Sequence, residues 1–279
     1  MTAVKARRDS VLWEGAVPTL ALPDLELRYL EAGRGPALVL LHGLGGSGAD
    51  WAPLVEAFRG RFRVLAPDSR GCGETRALAA PHGPFTLPQL AGDVEALLEG
   101  LGTGPAHVVG WSLGGMVALQ LAVQAPARVA SLAVVNSGPD WRAKTPLQHL
   151  ALKARGLATA LLGPGTVAPP LARRLFPRPD QAALRRAYVA RLAAADRRAY
   201  AALLDAFLGW SVEDRLPELA MPALVVASDG DYTSVASKEA WARGLPRGRL
   251  QVVEDSRHAL PLEAPERLGA VLSEFLASL

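Results

Sequence analysis

The sequence has a single cysteine, Cys72, in 279 residues, so it contains no internal disulfide framework and no cysteine-rich zinc site. Charge of either sign is in short supply. The 30 Lys and Arg against 27 Asp and Glu leave +3, too little to argue for a nucleic-acid partner. No apolar run approaches the ~18 residues that a membrane span needs. The basic start Met1–Ser10 runs into Trp13-Glu14-Gly15 with no secretory apolar region between. These absences lead to the expectation of a soluble cytoplasmic protein. Glycine and proline number 27 and 22 without a three-residue period, which excludes a collagen-like chain. Apolar residues are plentiful. They make up 50% of the chain against 20% charged, enough to bury a real core and too many for a disordered segment. At roughly 150 residues per domain, the length allows one large domain or two small ones.

Both ends of the chain alternate strand-like and helix-like segments. Strands are expected at Leu25–Ala32, Ala37–Leu41, Phe62–Ala66, Ala106–Val109, Val129–Val135, Ala223–Ala227 and Arg249–Val253. Helices are expected at Ala49–Phe58, Leu87–Leu101, Leu113–Gln124, Ser237–Ala242 and Pro265–Leu276. In the second of these, Leu90, Val94, Leu97, Leu98 and Leu101 form a 3.6-residue stripe. Continuous apolar strands separated by helices imply an α/β fold: a mostly parallel central sheet with helices on both faces. The middle of the chain breaks the alternation. Past the strand ending near Val135, residues 139–217 read as helices and Pro-rich turns, punctuated by Gly163-Pro164-Gly165 and Phe176-Pro177-Arg178-Pro179. Such an insertion is expected to cap the sheet's carboxyl edge, where α/β sheets bind ligands. The expected organisation is therefore a core of 1–138 and 218–279 with a helical cap at 139–217.

The chemistry centres on Gly110-Trp111-Ser112-Leu113-Gly114-Gly115, between a strand and a helix. This is the setting of a nucleophile elbow. A serine on so sharp a turn crowds the residues two before and two after it, which must be small; here they are Gly110 and Gly114. The turn aims the Leu113 N–H at a developing oxyanion. The Gly-rich loop His42-Gly43-Leu44-Gly45-Gly46 ends an earlier strand and can supply a second donor from Leu44. Trp111 and Gly43, adjoining these donors, are candidate pocket residues. Of the five histidines, His42 and His107 sit on strands, and His82 and His149 in loop and insertion contexts. Only His258 follows a candidate acid in the order Ser, acid, His. That acid comes from Asp229-Gly230-Asp231 after a strand. Asp231, deeper in the loop, is preferred; Asp229 suits a turn role, and Asp140 is a third option.

With these residues in view, the sequence resembles the α/β-hydrolase fold family, in its esterase, lactonase and haloperoxidase-like group. Asp68-Ser69-Arg70-Gly71-Cys72-Gly73 is similar to that family's D-x-R-G-x-G loop, and His258 to Pro265 to its H-x-x-x-x-E-x-P segment. Cys72 stands where the family often has His and reads as buried or structural. The string around Ser112 is particularly similar to carboxylesterases of acyl-carrier methyl esters. The resemblance implies a serine hydrolase of a carboxylic ester or lactone. Ser112 would be its nucleophile, His258 its base, Asp231 its acid, and the Leu44 and Leu113 N–H groups its oxyanion hole. No metal and no organic cofactor is expected. A C–C hydrolase or a cofactor-free perhydrolase could use the same triad. The segment after His258, Ala259-Leu260-Pro261-Leu262, lacks the Trp common in C–C hydrolases. Dehalogenases and epoxide hydrolases of this fold carry Asp at the position of Ser112. A non-catalytic, ligand-binding member is the contrasting class.

The expected partner is a small ester or lactone, with neither nucleic acid nor membrane; oligomeric state is not read from the sequence. Residues 140–217 carry thirteen Lys and Arg against six acids. That excess either solubilises outward helix faces or steers an anionic substrate or acidic carrier to the cleft.

Overall fold

The computed structural model describes residues 17–78, 83–143 and 145–279. The basic start, Trp13-Glu14-Gly15, His82 and Lys144 lie outside the described residues, as do the side chains of His149 and Arg155. Among the described residues, nine strands form one sheet in the order β1-β2-β4-β3-β6-β7-β8-β9, with β5 paired to β2. The parallel part comprises β3 (Ala37–Leu41), β4 (Arg63–Pro67), β6 (Ala106–Trp111), β7 (Val129–Val135), β8 (Ala223–Ser228) and β9 (Gly248–Val253). β1 (Thr19–Leu22), β2 (Leu25–Ala32) and β5 (Arg76–Ala77) add an antiparallel edge.

The inner strands are buried on both sides, as their unbroken apolar runs require. Leu38, Val39, Leu40, Val64, Leu65, Leu132 and Val134 have no exposed surface. Helices α1 (Ala52–Phe58), α2 (Leu87–Gly100), α3 (Leu113–Gln124), α8 (Val235–Ala242), α9 (Leu260–Glu263) and α10 (Pro265–Ala277) flank the sheet; α1 packs on α10 and α2 on α3. The α2 stripe faces inward, with Leu90, Leu97 and Leu98 buried. Between β7 and β8 lie α4 (Pro146–Leu162), α5 (Pro164–Leu175), α6 (Ala182–Ala194) and α7 (Arg197–Phe207). Gly163 separates the first two. Asp196 splits the last two, its carboxylate capping α7 through the N–H groups of Arg198 and Ala199.

The departures from expectation have local causes. β1 and β5 lack a sequence signal because both are short and sit at the sheet's edge, β1 without a buried face. The strand expected at Phe62–Ala66 begins at Arg63, because Phe62 is buried by edge-on packing against Phe58 and His107, outside the ladder. The helix expected from Ala49 opens as a 3-10 turn, Gly48–Trp51, before α1.

Register decides the rest. Leu41 stands level with Gly110, Trp111 with Val135, and Val135 with Val226. The carboxyl ends of β3, β6, β7 and β8 therefore open onto one edge, and the residues following each strand meet there.

Candidate active site

Ser112 follows β6 directly and begins α3 with φ 54° and ψ −116°. A non-glycine residue at positive φ is strained and needs surroundings that hold it. The surroundings are two glycines. A Cβ on Gly110 would sit 2.1 Å from the Gly114 carbonyl oxygen, and one on Gly114 would sit 2.1 Å from that of Leu41. Any side chain at either position would push the elbow off the neighbouring strand. The Ser112 carbonyl is held by the Ser137 hydroxyl at 2.6 Å and by the Gly115 N–H at 2.9 Å.

His258 and Asp231 arrive from the loops after β9 and β8. His258 Nε2 lies 2.9 Å from Ser112 Oγ, and His258 Nδ1 lies 2.5 Å from Asp231 Oδ1. Burial pushes the Asp231 carboxyl up, but hydrogen bonding and charge from His258 and Lys238 outweigh it and bring the pKa down to about 2. An ionised carboxylate only accepts, so Nδ1 carries the proton and Nε2 is free to accept from the serine hydroxyl. The Asp231 side chain is 1% exposed and that of His258 15%. Tyr232 stacks on the His258 ring at 4.3 Å, and the Arg174 guanidinium lies over the Tyr232 ring.

The other candidates occupy different posts. Asp229 accepts from the N–H groups of Gly230, Asp255 and Ser256, which ties its own turn to the loop carrying His258. Asp140 is engaged by Arg142. His42 donates from Nδ1 to the Gly43 carbonyl and accepts the Ser69 N–H at Nε2, so it fastens the Gly-rich loop to the Asp68–Gly73 loop. His107 bonds Ser131. The Cys72 thiol is buried, and burial with the nearby Asp68 charge pushes it up to about 12, which leaves it a poor nucleophile. Arg70, 3% exposed, bridges Asp93 and Asp24. The D-x-R-G-x-G loop is thus an architectural clamp.

Leu113 follows Ser112 at the start of α3, and Leu44 follows Gly43 in the Gly-rich loop. Among the described residues, neither backbone N–H donates to a protein acceptor. Gly43 packs against the Trp111 ring, and a Cβ there would come within 3.4 Å of Ser112 Cβ. Trp111 is buried and its indole N–H donates to the His258 carbonyl at 2.7 Å. Among the described residues, no three His, Cys, Asp or Glu converge as a metal site. None of the described helices is long and apolar enough to cross a membrane.

Asn136 and Lys238 went unnoticed in the sequence, and Glu263 entered there only as the Glu of the H-x-x-x-x-E-x-P segment. Asn136, at the tip of β7 with φ 46°, accepts the Ser228 N–H and donates to Ser228 Oγ and to the carbonyls of Arg257 and His258. Lys238 on α8 pairs with Asp231. Glu263 accepts the Arg257 N–H at 2.5 Å and reaches Gln181 before α6. The helices between β7 and β8 also touch the Gly-rich loop: Arg191 pairs with buried Asp50, and Tyr200 and Leu192 abut Gly45.

This edge, with its serine elbow between β6 and α3, defines a hydrolase fold. The chain belongs to the α/β hydrolase fold family, which matches over residues 36–265. It is 32% identical over 265 residues to "Putative carbamate hydrolase RutD" of a Caulobacter species, covering 89% of this chain and 95% of that one. It is 42% identical over 121 residues to the pimeloyl-[acyl-carrier protein] methyl ester esterase of Aeromonas hydrophila subsp. hydrophila, covering 43% and 45%. Among solved structures, the enol-lactonase of Burkholderia xenovorans superposes with a TM-score of 0.83 at 27% identity, covering 93% of this chain and all of that one.

Proposed function

We propose that the protein hydrolyses a carboxylic ester or lactone through Ser112, His258 and Asp231. The observation that carries this reading is the unbroken chain from Asp231 Oδ1 through the His258 ring to Ser112 Oγ, at 2.5 and 2.9 Å, ending on a serine at positive φ. His258 Nε2 takes the hydroxyl proton as Ser112 Oγ attacks the carbonyl carbon. The tetrahedral oxyanion is held by the Leu44 and Leu113 N–H groups, of which the second also carries the positive end of α3. His258 then gives its proton to the leaving alcohol or ring oxygen. Water, deprotonated by the same nitrogen, releases the acyl group from Ser112. Asp231 keeps the proton on Nδ1 and offsets the imidazolium charge. Gly43 and Trp111 form the wall beside the acyl carbon.

Residues 139–217 act as a cap. Their seat on the Gly-rich loop through Arg191, Leu192 and Tyr200 supports this. The cap's arginines are partly spent within the protein, Arg185 on the carbonyls of Phe176 and Arg178 and Arg142 on Asp140 and Glu213. Arg173 and Arg186 remain exposed, which favours an anionic substrate. A carbamate is a second reading, favoured by the name of the 32%-identical relative; its carbonyl meets the same nucleophile. The test is a panel of p-nitrophenyl esters, lactones, carbamates and a C–C substrate analogue on the purified protein, with Ser112→Ala as blank. Turnover of an ester or lactone that disappears in the blank supports the reading. Turnover of the C–C analogue alone, or an active blank, contradicts it.

A further inference from the structure

Lysine is among the residues least often fully buried, and when buried it is paired. Lys238 is 1% exposed, on a short helix whose neighbours in sequence, Ser237 and Glu239, face solvent. Its Nζ donates to Asp231 Oδ2 at 2.5 Å and to the Thr233 carbonyl at 2.8 Å. Asp231 Oδ2 also accepts the Thr233 hydroxyl at 3.0 Å. One carboxylate therefore serves two donors, the His258 Nδ1–H on one oxygen and the Lys238 ammonium on the other. The charged and titratable groups around this point are Asp229, Asp231 and Tyr232 from the loop after β8, Asp255, Arg257 and His258 from the loop after β9, and Arg174 of α5, which lies over the Tyr232 ring that stacks on His258. On α8 itself Glu239 is turned outward to Arg243. Asp229 is occupied by backbone N–H groups, and the Arg257 guanidinium lies by Gly230.

We infer that Lys238 is a positioning residue for the proposed triad: it locks the rotation of Asp231 and, by its charge, sets the pH range in which His258 can accept the serine proton. The inference rests on the triad reading above. Without Lys238, Oδ2 would keep only the neutral Thr233 hydroxyl at 3.0 Å, a looser hold on the carboxylate plane, and Asp231 would spend its whole charge on the imidazolium. With Lys238 on Oδ2, the plane of Asp231 is fixed, and half of its charge is already answered. The imidazolium is then less favoured, and His258 stays available as a base to lower pH. Removing the ammonium reverses this. A unit charge a carboxylate's width from the imidazole, across an effective dielectric of ~20, moves a titration by about one to two pH units.

The experiment is the pH profile of kcat/KM for a simple acetate ester, followed by pH-stat, for wild type and Lys238→Met. Methionine keeps the length of the side chain and removes its charge. The acid limb is expected to move up by about one pH unit or more in the folded variant. A folded Lys238→Met with its limb unmoved overturns the inference, since a merely structural lysine would cost thermal stability without shifting the profile. Should Lys238→Met not fold, Asp231→Asn is compared with Asp231→Asn/Lys238→Met. The double variant is expected to melt higher, because the single leaves a buried ammonium without its anion. Equal or lower melting of the double overturns the pairing. A wild type without an acid limb, or an active Ser112→Ala, overturns the triad itself and the role of Lys238 with it.

Discussion

Asn136→Asp replaces one amide nitrogen by an oxygen and leaves the shape of the side chain unchanged, so it isolates what the donor does. Asn136 Oδ1 accepts the Ser228 N–H at 2.8 Å, a bond that aspartate keeps. Its Nδ2 donates to Ser228 Oγ at 2.8 Å and to the Arg257 and His258 carbonyls at 3.0 and 3.3 Å. The serine hydroxyl can turn and donate to the new oxygen. The two carbonyls cannot; they would face a lone pair at a site only 2% exposed. The His258 carbonyl keeps the Trp111 indole N–H at 2.7 Å, so the Arg257 carbonyl is the one left unpaired; at about 1–3 kcal/mol for such a group, the variant should lose about 1–3 kcal/mol of stability. That is a large share of a total near ~5–15 kcal/mol. The loss should shrink at lower pH. The new carboxyl is buried without a cation, so its folded pKa lies above its unfolded one, and its cost is present at high pH and fades as it protonates. Urea midpoints at pH 7.5 and pH 5 would measure both effects. Because these carbonyls fix the loop of His258, kcat/KM should fall by about 10²-fold, the penalty of an ångström-scale misplacement. A variant within ~0.5 kcal/mol of wild type with unchanged kcat/KM would refute the assignment of Asn136 as the brace of that loop.

Further expectations follow from the same geometry. Asp231→Asn should lower kcat/KM by about 10⁴-fold; Asp229→Asn should lower the melting temperature and cost less than about tenfold in rate, and the reverse ranking in ester assays would exchange their roles. Gly114→Ala forces a Cβ to 2.1 Å from the Leu41 oxygen and should abolish activity or folding. Gly269→Ala in α10 meets no atom within 4 Å and should raise stability by about 0.5–1 kcal/mol in thermal melts. Burial raises the Glu263 carboxyl, against the opposing pull of the Arg257 N–H, Gln181 and the charges of Arg178 and Arg257. A raised folded pKa makes the ionised form a cost that grows as pH climbs through the carboxylate range. Glu263→Gln should therefore be more stable than wild type at pH 7 and no different near pH 3.5 by urea titration.

What could be read before the structure was local or periodic. The α2 stripe and the apolar runs of β3, β7 and β8 report burial directly, so the sheet and its flanking helices were legible. Ser112 was legible because the sterics of its turn leave their mark two residues away, in Gly110 and Gly114. His258 and the Asp229/Asp231 pair followed from chain order. Depth in the loop favoured Asp231 over Asp229 and left Asp229 a turn role, although a two-residue spacing by itself does not say which carboxylate turns inward. Glu263 was marked by its H-x-x-x-x-E-x-P segment, whereas Asn136 and Lys238 stayed hidden for a shared reason. Asn136 looks like a strand stop, and its partners lie 92 to 122 residues away. Lys238 looks like an ordinary solvent-facing lysine, since nothing in its neighbourhood marks the inward turn toward Asp231. Trp111 reads as a pocket wall by its place beside Ser112, whereas its indole N–H is committed to His258 across 147 residues.

The central claim is that Ser112 is a nucleophile made reactive by His258. Peptide mass spectrometry after treatment with a fluorophosphonate tests it most directly, since phosphonylation requires an activated serine and no knowledge of the natural substrate. One adduct is expected, on the peptide carrying Ser112, absent from Ser112→Ala and slowed by at least ~10³-fold in His258→Ala. Labelling at another residue, or equal labelling in folded His258→Ala, would contradict the account.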